Sequence, residues 1–271
     1  MDILKRDKAP LTDRAWQEID EAVREVLLTR LCGRKVVDVL GPLGMEMSAI
    51  NLGRLDVAKD GKPGTVEYGI RQVQPLVEGR INFDLDLWEL DNVERGARDL
   101  DLQAAEDAAL AMARFEDAAI FNGFSAGGIK GLTQLKDHDR IYLTLEPANL
   151  LGALTKGVVA MSDASVDGPF HLVVGPQVFK TLSVQQTSGY PLSKQVVELI
   201  GGKVHYSPAL KGALLVSARG GDFELSIGQD LSVGYDSRQG RTITLFVTES
   251  FTFHVLDPAG SLYLPMKAQK K

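Results

Sequence analysis

Residues 219–258, RGGDFELSIGQDLSVGYDSRQGRTITLFVTESFTFHVLDP, restrict the fold more than any other stretch. They read as a meander of strands at residues 223–227, 231–235 and 242–254. Gly220-Gly221 and residues 236–240 supply the turns. Along the last strand Ile243, Leu245, Val247, Phe251 and Phe253 share a face, with Thr and Glu residues between them. A sheet with one apolar face needs a cover, and the rest of the chain has to provide it.

The 271 residues are enough for one large domain or two smaller ones around a sizeable core. Apolar residues make up 44% of the chain and charged residues 24%, as in ordinary globular proteins. The formal charge of −6 disfavours coating nucleic acid, which needs dense Lys and Arg. The opening MDILKRDKAP has no apolar centre and no cleavage site, and no run is long enough to span a membrane. A single cysteine, Cys32, cannot close an internal disulfide and suits a reducing compartment. The expectation is a soluble cytoplasmic protein with no membrane partner.

Taken in order, a short arm ends at Pro10. Thr12 then caps a helix on which Trp16, Ile19, Val23, Val26, Leu27 and Leu31 recur at helical spacing, with Gly33 as its stop. Residues 36–40 read as a strand closed by Gly41-Pro42. Residues 52–58 and 65–73 pair across KDGKPG, where Asp60-Gly61 is the turn signal. Neither arm of that ribbon has a continuous apolar face, and an isolated two-stranded ribbon is marginal in water. It is expected to lean on a neighbouring subunit. Residues 76–87 alternate, with Val77, Ile81, Phe83, Leu85 and Leu87 opposite a charged face that ends in Trp88. Asp101 caps a long alanine-rich helix from residue 102 to about residue 121, stopped by Gly123. From residue 135 the pattern turns α/β. Helices are expected at 147–161, 177–184 and 192–200, with strands at 170–174, 204–206 and 213–217.

Chemistry is sparse. Gly123-Phe124-Ser125-Ala126-Gly127 matches the nucleophile-elbow spacing, but that serine works between a strand and a following helix. Here it follows a helix. The four histidines, His138, His171, His205 and His254, are scattered, and no paired cysteines, zinc-ligand spacing or phosphate-cradling loop occurs. No catalytic residue, metal site or required cofactor is read, and the expectation is that the chain is not an enzyme.

Three segments carry a resemblance: KRDKAPLTDRAWQEID near the start, LDLWELDNVERG at 85–96, and RGGDFELSIGQDLSVGY with TESFTF near the end. Together they resemble encapsulin shell proteins over nearly the whole chain. The resemblance implies an α+β chain on the tailed-phage major capsid fold, with a peripheral domain, an axial domain and an extended β-ribbon loop. Residues 1–44 would be the N-terminal arm, helix and first peripheral strand, and residues 45–75 the extended loop. Residues 76–134 and 218–271 would form the peripheral domain, and 135–217 the axial domain. Such proteins assemble into closed icosahedral shells, the simplest of which holds about sixty copies. The resemblance also implies an enclosed cargo enzyme, a ferritin-like iron-storage protein or a dye-decolourising peroxidase, docked through a C-terminal targeting peptide.

The family's docking surface carries over to Leu27, Leu31, Arg34, Asp38, Asp230 and Leu231. Its five-fold pore loop carries over to Gln185, Gln186, Thr187, Ser188, Gly189 and Tyr190, a neutral polar rim. Some members bind a flavin on a tryptophan, and the matching residues here are Trp88, Arg80 and Tyr190. Two other functions stay open on sequence: a phage or prophage capsid protein, disfavoured by the acidic balance, and a hydrolase or bacteriocin, disfavoured by the setting of Ser125.

Overall fold

The computed structural model describes residues 3–58, 66–187 and 189–267. The Asp60-Gly61 turn, Ser188 and the last residues of the basic tail lie outside them. Helix α1 spans Asp13–Arg30 and is capped by Thr12, whose hydroxyl accepts from the Ala15 amide. It ends at Arg30 with Leu31 as cap, before Gly33, the expected stop. Gly33 is needed for a different reason. Its amide donates to Asp117, and a Cβ there would meet Ile120 at 2.5 Å. The short strand β1, Asp38–Leu40, begins two residues later than read.

The ribbon follows as β2, Ala49–Val57, and β3, Gly69–Pro75, paired antiparallel from Ala49↔Pro75 to Val57↔Gly69. Strand β4, Val77–Asp86, leads into a helical turn, α2, Leu87–Leu90. Trp88 therefore sits on that turn, where Asp86 caps its amide, and not on the charged strand face. The long helix α3 spans Gln103–Asn122. Asp101 accepts from Gln103, and Gly123 ends the helix at φ 84.

The second unit brings α4, Pro147–Asp163; β5, Phe170–Val174; and α5, Pro176–Val184. A small hairpin of β6, Gln186–Thr187, and β7, Tyr190–Pro191, leads to α6, Leu192–Ile200. Strands β8, Val204–Tyr206, and β9, Ala213–Ser217, complete this stretch. The meander follows as β10, Phe223–Ile227; β11, Ser232–Gln239; and β12, Thr242–Val255. Residues 236–239, expected in a turn, extend β11 beyond a bulge at Tyr235/Ser237, leaving Gly240 to turn the chain. Strand β13, Ser261–Leu264, closes the chain.

Among the described residues one five-stranded sheet runs β1-β10-β12-β11, with β4 pairing the other edge of β12. A four-stranded sheet runs β13-β9-β5-β8. Strand β13 thus crosses from the segment assigned with the first sheet into the second, and Leu262 and Leu264 pack in the second unit's core. Helices α1 and α3 cover the first sheet. Trp16, Ile19 and Val23 of α1 meet Ala105, Ala109 and Met112 of α3 over Ile243, Leu245 and Val247. Alanine at positions 105 and 109 lets the two helices and the sheet approach closely. A third cluster joins the units, with Phe251, Phe253 and Leu225 against Val173, Leu214 and Val216.

On the other face of β12, Phe246 is buried between Gly234 and Arg80, whose Cζ lies 4.0 Å from the ring centroid. A Cβ on Gly234 would meet the ring at 2.2 Å. Gly234→Val is expected to destabilise the protein by about 1–3 kcal/mol through overpacking. Thermal unfolding of the purified variant checks this, and an unchanged midpoint contradicts it.

Candidate functional site

The strand alternation that builds the first sheet also delivers a carboxylate to the wrong side of it. Residue 249 falls at the parity of Val247 and Phe251, so Glu249 faces the core and not the solvent face where sequence alternation placed Glu residues. Glu116 of α3 is equally buried. The chain answers with one cation, Arg34, in the turn after α1. Its Nη2 donates to Glu116 Oε2 at 2.6 Å and to Glu249 Oε1 at 2.6 Å, its Nη1 donates to Asp230 Oδ1 at 2.9 Å, and its Nε donates to Glu116. Two buried carboxylates without such a partner would be costly.

The electrostatics follow. Burial pushes the Glu249 carboxyl well above its ordinary value, and the adjacent Glu116 charge pushes it further, more than Arg34 pulls it down. Burial favours the neutral form of Arg34, but the hydrogen bonds and charge of Glu116, with Glu249 and Asp230, outweigh this and hold it charged. Next along α3, Asp117 accepts from the Cys32 and Gly33 amides and from the Ser207 hydroxyl, tying the end of α1 to the second unit. Burial raises its carboxyl to about 6. The Cys32 thiol is pushed up to about 12, first by burial and then by Asp117, so it is not poised as a nucleophile.

Above Arg34 a groove of about 520 Å³ opens between α1, β11 and the N-terminal arm. Val23, Leu27, Leu28, Leu31, Leu231 and Val233 supply apolar surface, and Arg24, Lys35 and Asp20 stand at the rim. The arm is held in place by the Leu4 carbonyl, which accepts from the Tyr235 amide, and by Arg6. The Arg6 guanidinium stacks over Trp16 at 4.0 Å and binds Asp20 at 2.6 Å.

Five residues of the expected docking surface, Leu27, Leu31, Arg34, Asp230 and Leu231, line this one groove. Asp38 does not. Its Oδ2 accepts from the Gly221 amide, and it lines a separate cavity with His171 and Arg219. Arg34 is also engaged by its three carboxylates. Sequence reading passed over Leu28, which is 63% exposed beside the groove because it falls one residue off the core stripe of α1. It also passed over Lys35 and Arg24.

In the loop read as a pore rim, Gly189 turns the hairpin at φ 78, and Tyr190 donates to Glu198 of α6 at 2.7 Å. The three residues matched to a flavin site do not meet within the chain. Trp88 is 62% exposed under Arg241, 4.8 Å away, whereas Arg80 stacks on Phe246 and Tyr190 belongs to the second unit. Ser125 lies in a 3₁₀ turn after α3 that the Phe124–Ile129 pairing closes, which is not the strand-to-helix setting of a nucleophile. No group of three or more potential metal ligands occurs among the described residues. No helix among them is long and apolar enough to cross a membrane.

The family model described as "encapsulating protein for peroxidase" matches residues 1–252. A type 1 encapsulin shell protein of Rhodospirillum rubrum is 39% identical over 97% of this chain and 96% of its own length. The chain belongs to the encapsulin shell-protein family. It is a structural shell protein and not an enzyme. The fold agrees. The virus-like particle of Pyrococcus furiosus superposes with TM-score 0.69 at 16% identity, covering 92% of this chain and 98% of that one. The capsid protein of Myoviridae phage XM1 gives 0.57 at 13% identity, covering 88% and 92%. At such identities the structural matches speak for the α+β capsid fold alone.

Two outcomes follow from the Arg34 cluster. Arg34→Ala leaves two buried carboxylates unpaired and is expected to cost about 3–5 kcal/mol, read as a large fall in unfolding midpoint or loss of soluble protein. A carboxyl raised in the folded state stabilises fully in acid, and that contribution is lost as pH rises through the raised value. Glu249→Gln is therefore expected to lose less of its unfolding midpoint than the parent as pH rises above the ordinary carboxylate range. Parallel curves would contradict the assignment.

Proposed function

We propose that this shell protein assembles into a closed icosahedral compartment of about sixty copies in the cytoplasm and encloses an enzyme docked by a short C-terminal peptide in the groove beside α1. The observation that carries the docking reading is the groove itself. It is a trough between a helix and a sheet strand with apolar walls, a floor where Arg34 and Asp230 are paired, and further charged groups at its rim, as a peptide with aliphatic anchors requires. The Arg34 cluster fixes its floor, leaving Leu27, Leu28, Leu31 and Leu231 to receive the anchors and Arg24 or Lys35 to meet peptide charges. Asp38 drops out of the docking set because it caps the Gly220-Gly221 turn.

The layout of the shell belongs to the same reading. The unit around α3 and the five-stranded sheet would be peripheral, and the four-stranded unit axial, with residues 185–190 at the five-fold pore. The ribbon of β2 and β3 would lie over a neighbour. Its exposed Leu55, Val57, Tyr68 and Ile70 fit that role, because a ribbon with so much bare apolar surface needs a partner. A ferritin-like iron-storage protein or a dye-decolourising peroxidase fits as cargo, which would place the shell in iron storage or oxidative stress. A flavin is not part of this reading, since Arg80, Trp88 and Tyr190 stand apart within the chain.

Leu28→Asp tests the docking site without touching the core. Particles of unchanged size are expected, with co-purifying cargo reduced at least tenfold by quantitative mass spectrometry. Full cargo in the variant would place the docking site elsewhere.

A further inference from the structure

The four-stranded sheet turns one face toward the first unit, and two histidines lie on it. Strands β5 and β8 run parallel with Val173 opposite His205, so His171, Val173 and His205 point to the same side. Val173 packs with Cys32 and Val36 of the turn after α1, so this face is the seam between the units. The two imidazoles meet edge to face, with ring centroids 5.2 Å apart at 68°. His171 Nδ1 and His205 Nε2 are buried, and neither has a hydrogen-bond partner.

The charges around the pair are unfavourable to a third. Lys35 from the turn after α1 and Lys203 at the entry to β8 both act against a proton on His205, and Lys203 acts against one on His171. The carboxylates of the seam are engaged. Asp117 of α3 receives Cys32, Gly33 and Ser207, Asp222 receives Arg219, and Asp38 receives the Gly221 amide. Both histidines are held below their ordinary value by burial first; His205, at about 4, is lowered next by the facing His171 and then by Lys35 and Lys203, and His171 by Lys203.

We propose that the His171–His205 pair makes the seam between the two units sensitive to acid. A proton on either ring sets a cation against the other imidazole, Lys35 and Lys203, and drives the four-stranded sheet away from residues 32–36. A histidine held below its ordinary value stabilises the fold fully above about pH 6.5. That contribution is lost as pH falls toward about 4. Asp117 and Glu249, both raised, work in the opposite sense, with a contribution complete in acid and lost as pH rises. Asp86, held below 3.8, matters only at still lower pH. Loss of stability between pH 6.5 and 4 therefore reports the histidines.

The test uses assembled particles and needs no cargo. Unfolding midpoint and particle size are followed from pH 8 to pH 4 for the parent and for His171→Phe/His205→Phe, which keeps two rings in contact and removes both protons. The parent midpoint is expected to fall through this window, and the double variant to lose at least half of that fall. Equal slopes overturn the proposal. Should the double variant fail to assemble, hydrogen exchange of parent particles at pH 7.5 and pH 5, corrected for intrinsic rates, decides. Increased exchange confined to residues 32–37 and 203–207 supports the seam, and exchange that rises evenly or not at all overturns it.

Discussion

Arg34 is one cation answering three carboxylates that the chain delivers from the middle of α3, from β12 and from the loop before β11. The arrangement binds the turn after α1 to the covering helix and to the central strand at a single point. Without it, burying Glu116 beside Glu249 would be costly. The excess negative charge is relieved by the raised carboxyl of Glu249. The groove lies directly above this point, so its floor is set by buried ion pairs and its walls by apolar side chains.

The two units meet through a mixture of apolar packing and a few polar ties. Phe251, Phe253 and Leu225 on one side and Val173, Leu214 and Val216 on the other make a dry contact. Asp117 crosses it to Ser207. Strand β13 adds a covalent tie, because the chain leaves the first sheet at Val255 and ends its described course in the second.

Much of the fold was legible in the sequence. The alternation of 242–254, the stripe of α1, the alanine-rich α3 and the α/β succession after residue 135 each follow from local periodicity and end signals. The crossing of β13 was not legible, since SLYL reads alike in either sheet. The bulge at Tyr235/Ser237 hid the continuation of β11, because polar residues at an exposed edge look like a turn. In the site, Leu27, Leu31, Arg34, Asp230 and Leu231 came from resemblance, and the groove that joins them comes from tertiary packing. Glu249 could have been found, since it interrupts the apolar parity of β12. Its partner Arg34 lies 215 positions away in sequence, and no local pattern links the two. Asp38 lies outside the groove, and its turn-capping role depends on parallel pairing of β1 with β10, which no local pattern shows.

On the proposed reading this chain builds a closed compartment around a second protein. Mass measurement of particles purified from the native host, with electron microscopy of the same sample, tests it most directly. Uniform hollow shells of about sixty subunits are expected, with additional mass from one co-purifying protein that carries a short C-terminal extension. A monomer or small oligomer under the same conditions, or shells filled with nucleic acid, would contradict it.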